Sequence, residues 1–304
     1  MITRRSTLAG LGSLGLVGSM IPVLARADVN LGDISVTTLS DGHLVMPGAF
    51  FFDGLPQDEV KEILAQHNLP SDQMKPPCNV TMMQDGDKTI LFDVGSGPAF
   101  MPTAGSLLDS LEATGVAPED VTHVVFTHAH PDHLWGVLDD FDDPVFPEAQ
   151  YMMGQAEWDY WSDPDTVNTI GEARASFAAG AARRLAAIED RCTMFLDGQE
   201  VLPGILAHAS FGHTPGHMSF EVRGGTQSLM VIGDAIGNAH VAMARPEWPS
   251  GADQDADLGA TTRTRLLDQM AQDQMLVIGF HLPDGGIGRV ERADTNYRFV
   301  PEGM

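Results

Sequence analysis

The chain has 304 residues, and 42 acidic against 17 basic side chains give it a net charge of −25 at pH 7. Such a surface repels nucleic-acid phosphates and anionic lipid headgroups, which argues against nucleic acid as a partner, and otherwise reads as a solvating coat. Its two cysteines, Cys78 and Cys192, form no CxxC pair, so neither reads as a zinc ligand or a dithiol redox site, and whether they pair with each other is left open.

Residues 1–27 read as an address. Thr3-Arg4-Arg5-Ser6-Thr7-Leu8 is a twin-arginine sequence, an uncharged Leu/Gly-rich stretch runs to Leu24, and Ala25-Arg26-Ala27 supplies an A-x-A cleavage site. The sequence therefore predicts a twin-arginine signal peptide over 1–27, one domain over 28–304, and a periplasmic or secreted destination. The apolar stretch is Gly-rich and short for a span, so no stable membrane insertion is expected. Cleavage would remove three arginines and no acid, leaving 14 basic and 42 acidic residues, a net charge of −28.

Next, Ile34 to Leu39 alternates like a strand, meets a turn at Ser40-Asp41-Gly42, and is expected to return through Leu44-Val45-Met46 as a hairpin. Phe50, Phe51 and Phe52 read as a buried hairpin flank, with a lid or a homodimer contact as alternatives. Val60, Ile63 and Leu64 at helical spacing predict a helix over 56–67, and 80–84 with 89–94 form a second hairpin about Asp85-Gly86-Asp87. A helix over 107–114 leads through Pro118-Glu119-Asp120 to the strand Val124-Val125-Phe126. Beyond it come a strand at 151–153, helices at 155–161 and 172–188, and strands at 193–196, 205–209, 219–222 and 229–232. An acidic loop at 253–257, a helix at 262–272, a buried strand at 276–280 and an edge strand at 297–300 complete the pattern. Two groups of strands, each followed by helices, predict an α+β chain built as a four-layer αβ/βα sandwich.

The densest chemistry lies in Thr127-His128-Ala129-His130-Pro131-Asp132-His133, three imidazoles and a carboxylate within six positions. If the strand continues into His128 and His130 they point the same way at its carboxyl end, while Pro131 holds His130 extended and lets Asp132 and His133 turn back from a loop. One short segment can then feed two adjacent metals. Three later residues sit after strands or at glycine-flanked turns: His213 in Gly212-His213-Thr214-Pro215-Gly216-His217, Asp234 in Ile232-Gly233-Asp234-Ala235, and His281 in Gly279-Phe280-His281-Leu282-Pro283. No ligand role falls to His43, His67, His123, His208 or His240.

The whole pattern resembles the metallo-β-lactamase superfamily, whose signature is HxHxDH followed by a later His, a later Asp and a final His. The resemblance implies that His128, His130 and His213 hold one metal, that Asp132, His133 and His281 hold the other, and that Asp234 bridges them. His217 would support a ligand from behind. Imidazole and carboxylate without thiolate suit two divalent ions, zinc first. Asp234 argues against true class-B β-lactamases, and a full second ligand set argues against the one-iron persulfide dioxygenases.

Leu31-Gly32-Asp33, Thr38-Leu39-Ser40-Asp41-Gly42, Gly212 to His217 and Tyr297-Arg298-Phe299-Val300-Pro301 resemble segments of secreted methyl-parathion-hydrolase-like enzymes and the N-acyl homoserine lactonases related to them. By position Phe100, Trp161 and Phe177 would line an aromatic substrate pocket. Leu282-Pro283-Asp284-Gly285-Gly286 departs from the family segment and is expected to bring an acid near its mouth. The resemblance implies an exported metal-dependent hydrolase that opens lactones, N-acyl homoserine lactones among them, or cleaves carboxylic esters. Two dications lower the pKa of a shared water from 15.7 toward about 7, and Asp132 would pass a proton to the leaving oxygen. Hydrolysis of organophosphate triesters or phosphodiesters is the alternative chemistry, and a non-catalytic ligand sensor is the alternative of another class.

Overall fold

The computed structural model describes residues 27–294 and 296–302, so the expected leader lies outside the described residues except for Ala27. One seven-stranded sheet is built from β1 (Ala27–Leu31), β2 (Ile34–His43), β5 (Pro77–Asp85), β6 (Lys88–Phe92), β7 (His123–Val125), β8 (Gln150–Gly154) and β9 (Cys192–Phe195), in that order. β3 (Met46–Pro47) and β4 (Gln73–Met74) pair separately beneath α1 (Gly48–Phe52) and α2 (Gln57–Gln66). The helices α3 (Leu107–Thr114), α4 (Pro131–Leu134), α5 (Gln155–Ser162), α6 (Thr166–Thr169) and α7 (Ala175–Ile188) punctuate the later strands. A second seven-stranded sheet runs in order through β10 (Glu200–Leu202), β11 (Ile205–Ala209), β12 (Met218–Gly224), β13 (Gln227–Val231), β14 (Leu276–Ile278), β15 (Ile287–Ala293) and β16 (Asn296–Pro301). Between β13 and β14 lie α8 (Val241–Ala244) and α9 (Ala256–Asp273).

Side chains that alternate along each strand feed different cores, which is why the central strands read as unbroken apolar runs. Ile90, Phe92, Val125 and Met152 face the second sheet and meet Phe220, Val222, Val231 and Ile278 there, with the Phe92 and Phe220 ring centroids 5.4 Å apart. Their neighbours Leu91, Val124, Phe126, Tyr151 and Met153 point the other way, into a core shared with α3, α5 and α7. Met230 and Val277 likewise turn outward onto Leu266, Leu267 and Met270 of α9. The result is helices, sheet, sheet, helices, the predicted four-layer sandwich. Among the described residues no helix is long and apolar enough to cross a membrane.

The first predicted hairpin is not formed. β2 runs on through Ser40-Asp41-Gly42 and pairs with β1 and β5 instead. The reason is Asp41, whose buried carboxylate accepts from Ser96 N at 2.8 Å, Ser96 Oγ at 3.0 Å and Leu107 N at 2.9 Å and so ties the strand to two loops rather than closing a turn. Phe50, Phe51 and Phe52 form α1 rather than a hairpin flank. The acidic loop is shorter than expected because α9 begins at Ala256: the Asp255 carboxylate accepts from Leu258 N and caps it. β15, absent from the sequence pattern, pairs with β16 throughout its length.

Candidate metal centre

β7 ends at Val125, three residues short of His128 and five short of His130, so neither histidine lies on it. The loop beyond it is shaped by Asp93, at the end of β6, whose Oδ1 accepts from Thr127 N at 2.8 Å and whose Oδ2 accepts from Thr127 Oγ1 at 2.7 Å. His130 is extended, and Pro131 opens α4, so Asp132 and His133 come from one helical turn rather than from a loop. His213 comes from the turn between β11 and β12. Asp234 follows β13 through Gly233, whose φ of +51° lies in the left-handed region where a side chain is disfavoured. His281 follows β14. All seven predicted ligands converge, and none is more than 8 % exposed.

The nitrogens of His128, His130 and His213 crowd together: His128 Nε2 lies 3.1 Å from His130 Nδ1, which lies 2.9 Å from His213 Nε2. The outer atoms settle which nitrogens are bare. Thr127 gives its hydroxyl proton to Asp93, so its oxygen accepts from His128 Nδ1 at 3.0 Å, and the Asp253 carboxylate accepts from His213 Nδ1 at 3.2 Å. Both Nε2 atoms then present lone pairs, and one proton on His130 can satisfy at most one of them. Burial first, and the neighbouring imidazoles second, hold His128 and His130 well below the usual histidine range, so both are neutral, the form that binds metal.

On the other side, His133 Nδ1 donates to Asp93 Oδ2 at 2.8 Å and His281 Nδ1 to the carbonyl of Pro77 at 2.7 Å. Their Nε2 atoms face carboxylates. His133 Nε2 lies 3.5 Å from Asp132 Oδ2 and 3.3 Å from Asp234 Oδ1, and His281 Nε2 lies 3.3 Å from Asp132 Oδ2 and 3.1 Å from Asp234 Oδ2. Burial disfavours charge on these two rings, yet Asp234 and Asp132 raise both well above the ordinary value, because an acceptor-lined pocket demands a cation. His130 Nε2, Asp132 Oδ2, His133 Nε2 and Asp234 Oδ1 are buried without a hydrogen-bond partner. Asp234 also reaches His213 Nε2 at 3.4 Å and so touches both halves. This donor set of imidazole and carboxylate, turned inward and without thiolate among the seven, fits two divalent cations, which would take the place of the protons on His133 and His281.

Sequence reasoning missed the residues that hold the ligands. Asp93 is one, signalled only by an acid ending the apolar run Leu91-Phe92. Glu157 is fully buried and accepts from Ala129 N, Trp161 Nε1, Thr214 Oγ1 and Gly216 N, at 2.8, 2.6, 2.7 and 3.0 Å, thereby joining the two histidine loops. Asp253, hidden among helix-capping acids, gave no separate signal. His217 accepts from Asp234 N at 3.0 Å and meets Ser210 Oγ at 2.8 Å, so it fixes the backbone of Asp234 rather than a histidine ring. Cys78 lies with Asp132 and His281, their ligand-type atoms within 4.8 Å of one another, and burial pushes its thiol up to about 12. Neither cysteine is in a disulfide.

The cleft over the site is lined by Phe100 and Phe177 together with Phe50, Phe51, Phe52 and Trp248. Trp161 is not on its surface: the ring is fully buried, 5.6 Å from that of His130, with its N–H given to Glu157. Asp284 is exposed and lies outside the cleft lining, so the departed segment brings no acid to the mouth.

The comparisons with known proteins agree with this geometry. The chain resembles the crystal structure of a hydrolase, AbOPH, in the β-lactamase superfamily, with a TM-score of 0.86 and 28% identity, over 93% of this chain and 99% of that one. It shares the fold of AidC, a dizinc quorum-quenching lactonase, with a TM-score of 0.87 and 24% identity, over 92% of this chain and 98% of that one. In sequence it is 29% identical to the uncharacterized protein YobT of Bacillus subtilis (strain 168) over 53% of this chain and 62% of the relative. It is 31% identical to the N-acyl homoserine lactonase AttM of Agrobacterium fabrum (strain C58) over 38% of this chain and 41% of the relative. The chain thus spans less than two thirds of these curated relatives. The family description "Metallo-beta-lactamase superfamily" matches residues 75–281, from the strand before the site to its last histidine, and the chain belongs to that superfamily.

Proposed function

We propose that this protein is a dinuclear metal-dependent hydrolase that opens lactones, N-acyl homoserine lactones among them, or cleaves carboxylic esters. The observation that carries the reading is the inward-facing set of seven ligands beneath an apolar, aromatic cleft. His128, His130 and His213 would hold one ion, Asp132, His133 and His281 the other, and Asp234 both. When bound, two such ions supply Lewis acidity and lower the pKa of a nearby water. The chain's own part is to orient and exclude. Asp93, Asp253 and the Pro77 carbonyl fix the imidazoles, Phe100 and Phe177 take the non-reacting part of a neutral acyl substrate, and Asp132, whose Oδ2 faces His133 and His281, passes a proton to the leaving oxygen through its other carboxylate oxygen. The lactonases among its relatives and fold neighbours support the substrate class. The net charge of −25 disfavours approach of anionic phosphodiesters. Export by the twin-arginine leader belongs to the same reading and rests on sequence alone.

The test is hydrolysis of a lactone, an aryl ester, a phosphotriester and a phosphodiester by the metal-loaded protein beside its His128→Ala variant. The reading expects turnover of the lactone or the ester, lost in the variant. Turnover of the phosphodiester alone would overturn the substrate class, and binding without turnover of any of them would make the protein a sensor.

A further inference from the structure

The segment between α8 and α9 is a strap with two duties. On its outer side Trp248, Pro249, Ser250 and Ala252 form one wall of the cleft, and on its inner side Asp253 holds the Nδ1 of His213. Its backbone is laced to the histidine loop as well, Gln254 N donating to His213 O at 3.1 Å and Asp255 N to Gly212 O at 2.9 Å. The strap has no sheet partner of its own, so something else must fix its position. Two arginines fasten it: Arg174 donates from Nη2 to the carbonyls of Gly251 at 2.8 Å and Ala252 at 3.0 Å, and the stretch from Pro246 to Asp253 is held by Arg263 of α9, which is 3% exposed. Its Nε donates to the carbonyl of Pro246 at 3.1 Å, its Nη2 to that of Trp248 at 2.6 Å, and its Nη1 to Asp253 Oδ2 at 3.2 Å.

We propose that Arg263 is a positioning residue that, through Asp253, sets the imidazole of His213 and the outer wall of the substrate cleft as one unit. The two oxygens of Asp253 are divided between these partners, Oδ1 to His213 and Oδ2 to Arg263. A planar guanidinium reaches three acceptors at fixed angles, which an ammonium on a flexible stem does not reproduce. Metal retention at the His128, His130 and His213 position and the shape of the cleft are therefore coupled through one buried ion pair. The proposal rests on the two-metal reading and is independent of the substrate class.

The experiment compares wild type, Asp253→Asn and Arg263→Lys as metal-loaded full chains. Each is titrated with a chelator, the metal remaining per chain is measured, and the melting temperature is recorded beside it. Asn keeps the shape of Asp253, but turning its oxygen to His213 sets an N–H against Arg263, so one contact is lost. Asp253→Asn is expected to release one metal at about 10- to 100-fold lower chelator concentration while the other stays as in wild type. Arg263→Lys should weaken the same metal by less and raise KM more than it lowers kcat. Unchanged retention in Asp253→Asn, or parallel loss of both metals with the fold, would overturn the proposal. A wild type that holds a single metal would break the two-metal reading instead, and the retention of that one metal in Asp253→Asn still decides the proposal: weaker retention supports it and unchanged retention overturns it.

Discussion

Burial raises the carboxyl of Asp41 from its ordinary 3.8 to about 6, against the pull of the hydrogen bonds from Ser96 and Leu107 that favour its charged form. A folded-state value above the unfolded one means that the folded chain binds the proton more tightly, so this group favours folding below about pH 4 and loses that contribution as pH rises to about 6. The size is about 3 kcal/mol at 1.36 kcal/mol per unit. In Asp41→Asn that component is absent. The stability difference between wild type and variant, from urea melts, should therefore shift against wild type between pH 4 and pH 6, and a difference flat across that window would contradict the assignment.

The same scale shows why part of the site was legible and part was not. The seven candidate ligands were readable as a group because HxHxDH and the three later residues sit at strand ends and turns and match the signature of the superfamily that the sequence resembles. Asp93, Glu157 and Asp253 were not, because an acid that accepts from a backbone N–H, as Asp93 and Glu157 do, or from a histidine and an arginine distant in sequence, as Asp253 does, looks in sequence like any surface acid. Trp161 was misplaced for a related reason: its spacing from Glu157 fits an N–H to carboxylate contact as well as a cleft wall, and only the three-dimensional structure shows that Glu157 is buried beside it.

Among the elements, α5 and the turn carrying His213 pack backbone to backbone beside the site. A side chain at Gly216 would place its Cβ 2.0 Å from the backbone nitrogen of Glu157, and neither backbone can yield without breaking the hydrogen bonds that Glu157 accepts from both histidine loops. Gly216→Ala should cost about 1–3 kcal/mol, as overpacking does elsewhere. Denaturant midpoints at unchanged m measure it, and an unaltered midpoint would mean that the junction is looser than described. Element reading from sequence succeeded where periodicity was unopposed, as in 107–114, 205–209 and 229–232. It failed where polar residues served a tertiary purpose. Asp41 draws β2 past an apparent turn, and in β15 Arg289, Glu291 and Arg292 interrupt the apolar pattern that would have announced a strand.

At the scale of the molecule, two sheets place their loops along one edge, so that residues from His128 to His281 meet over a core that none of them has to stabilise. The apolar layers between the sheets and under the helices hold the scaffold, and the polar groups at the edge are free to be arranged for cations. The net charge is strongly acidic, while the walls of the cleft are mainly aromatic and aliphatic. All of this chemistry depends on occupancy of the buried donor set. The direct measurement is metal content per chain in protein purified under ample zinc, beside a variant in which His128 and His281 are both alanine. The account predicts close to two ions per chain in wild type and fewer than one in the variant. A wild-type value of one or none, or a double variant that still holds two, would contradict it.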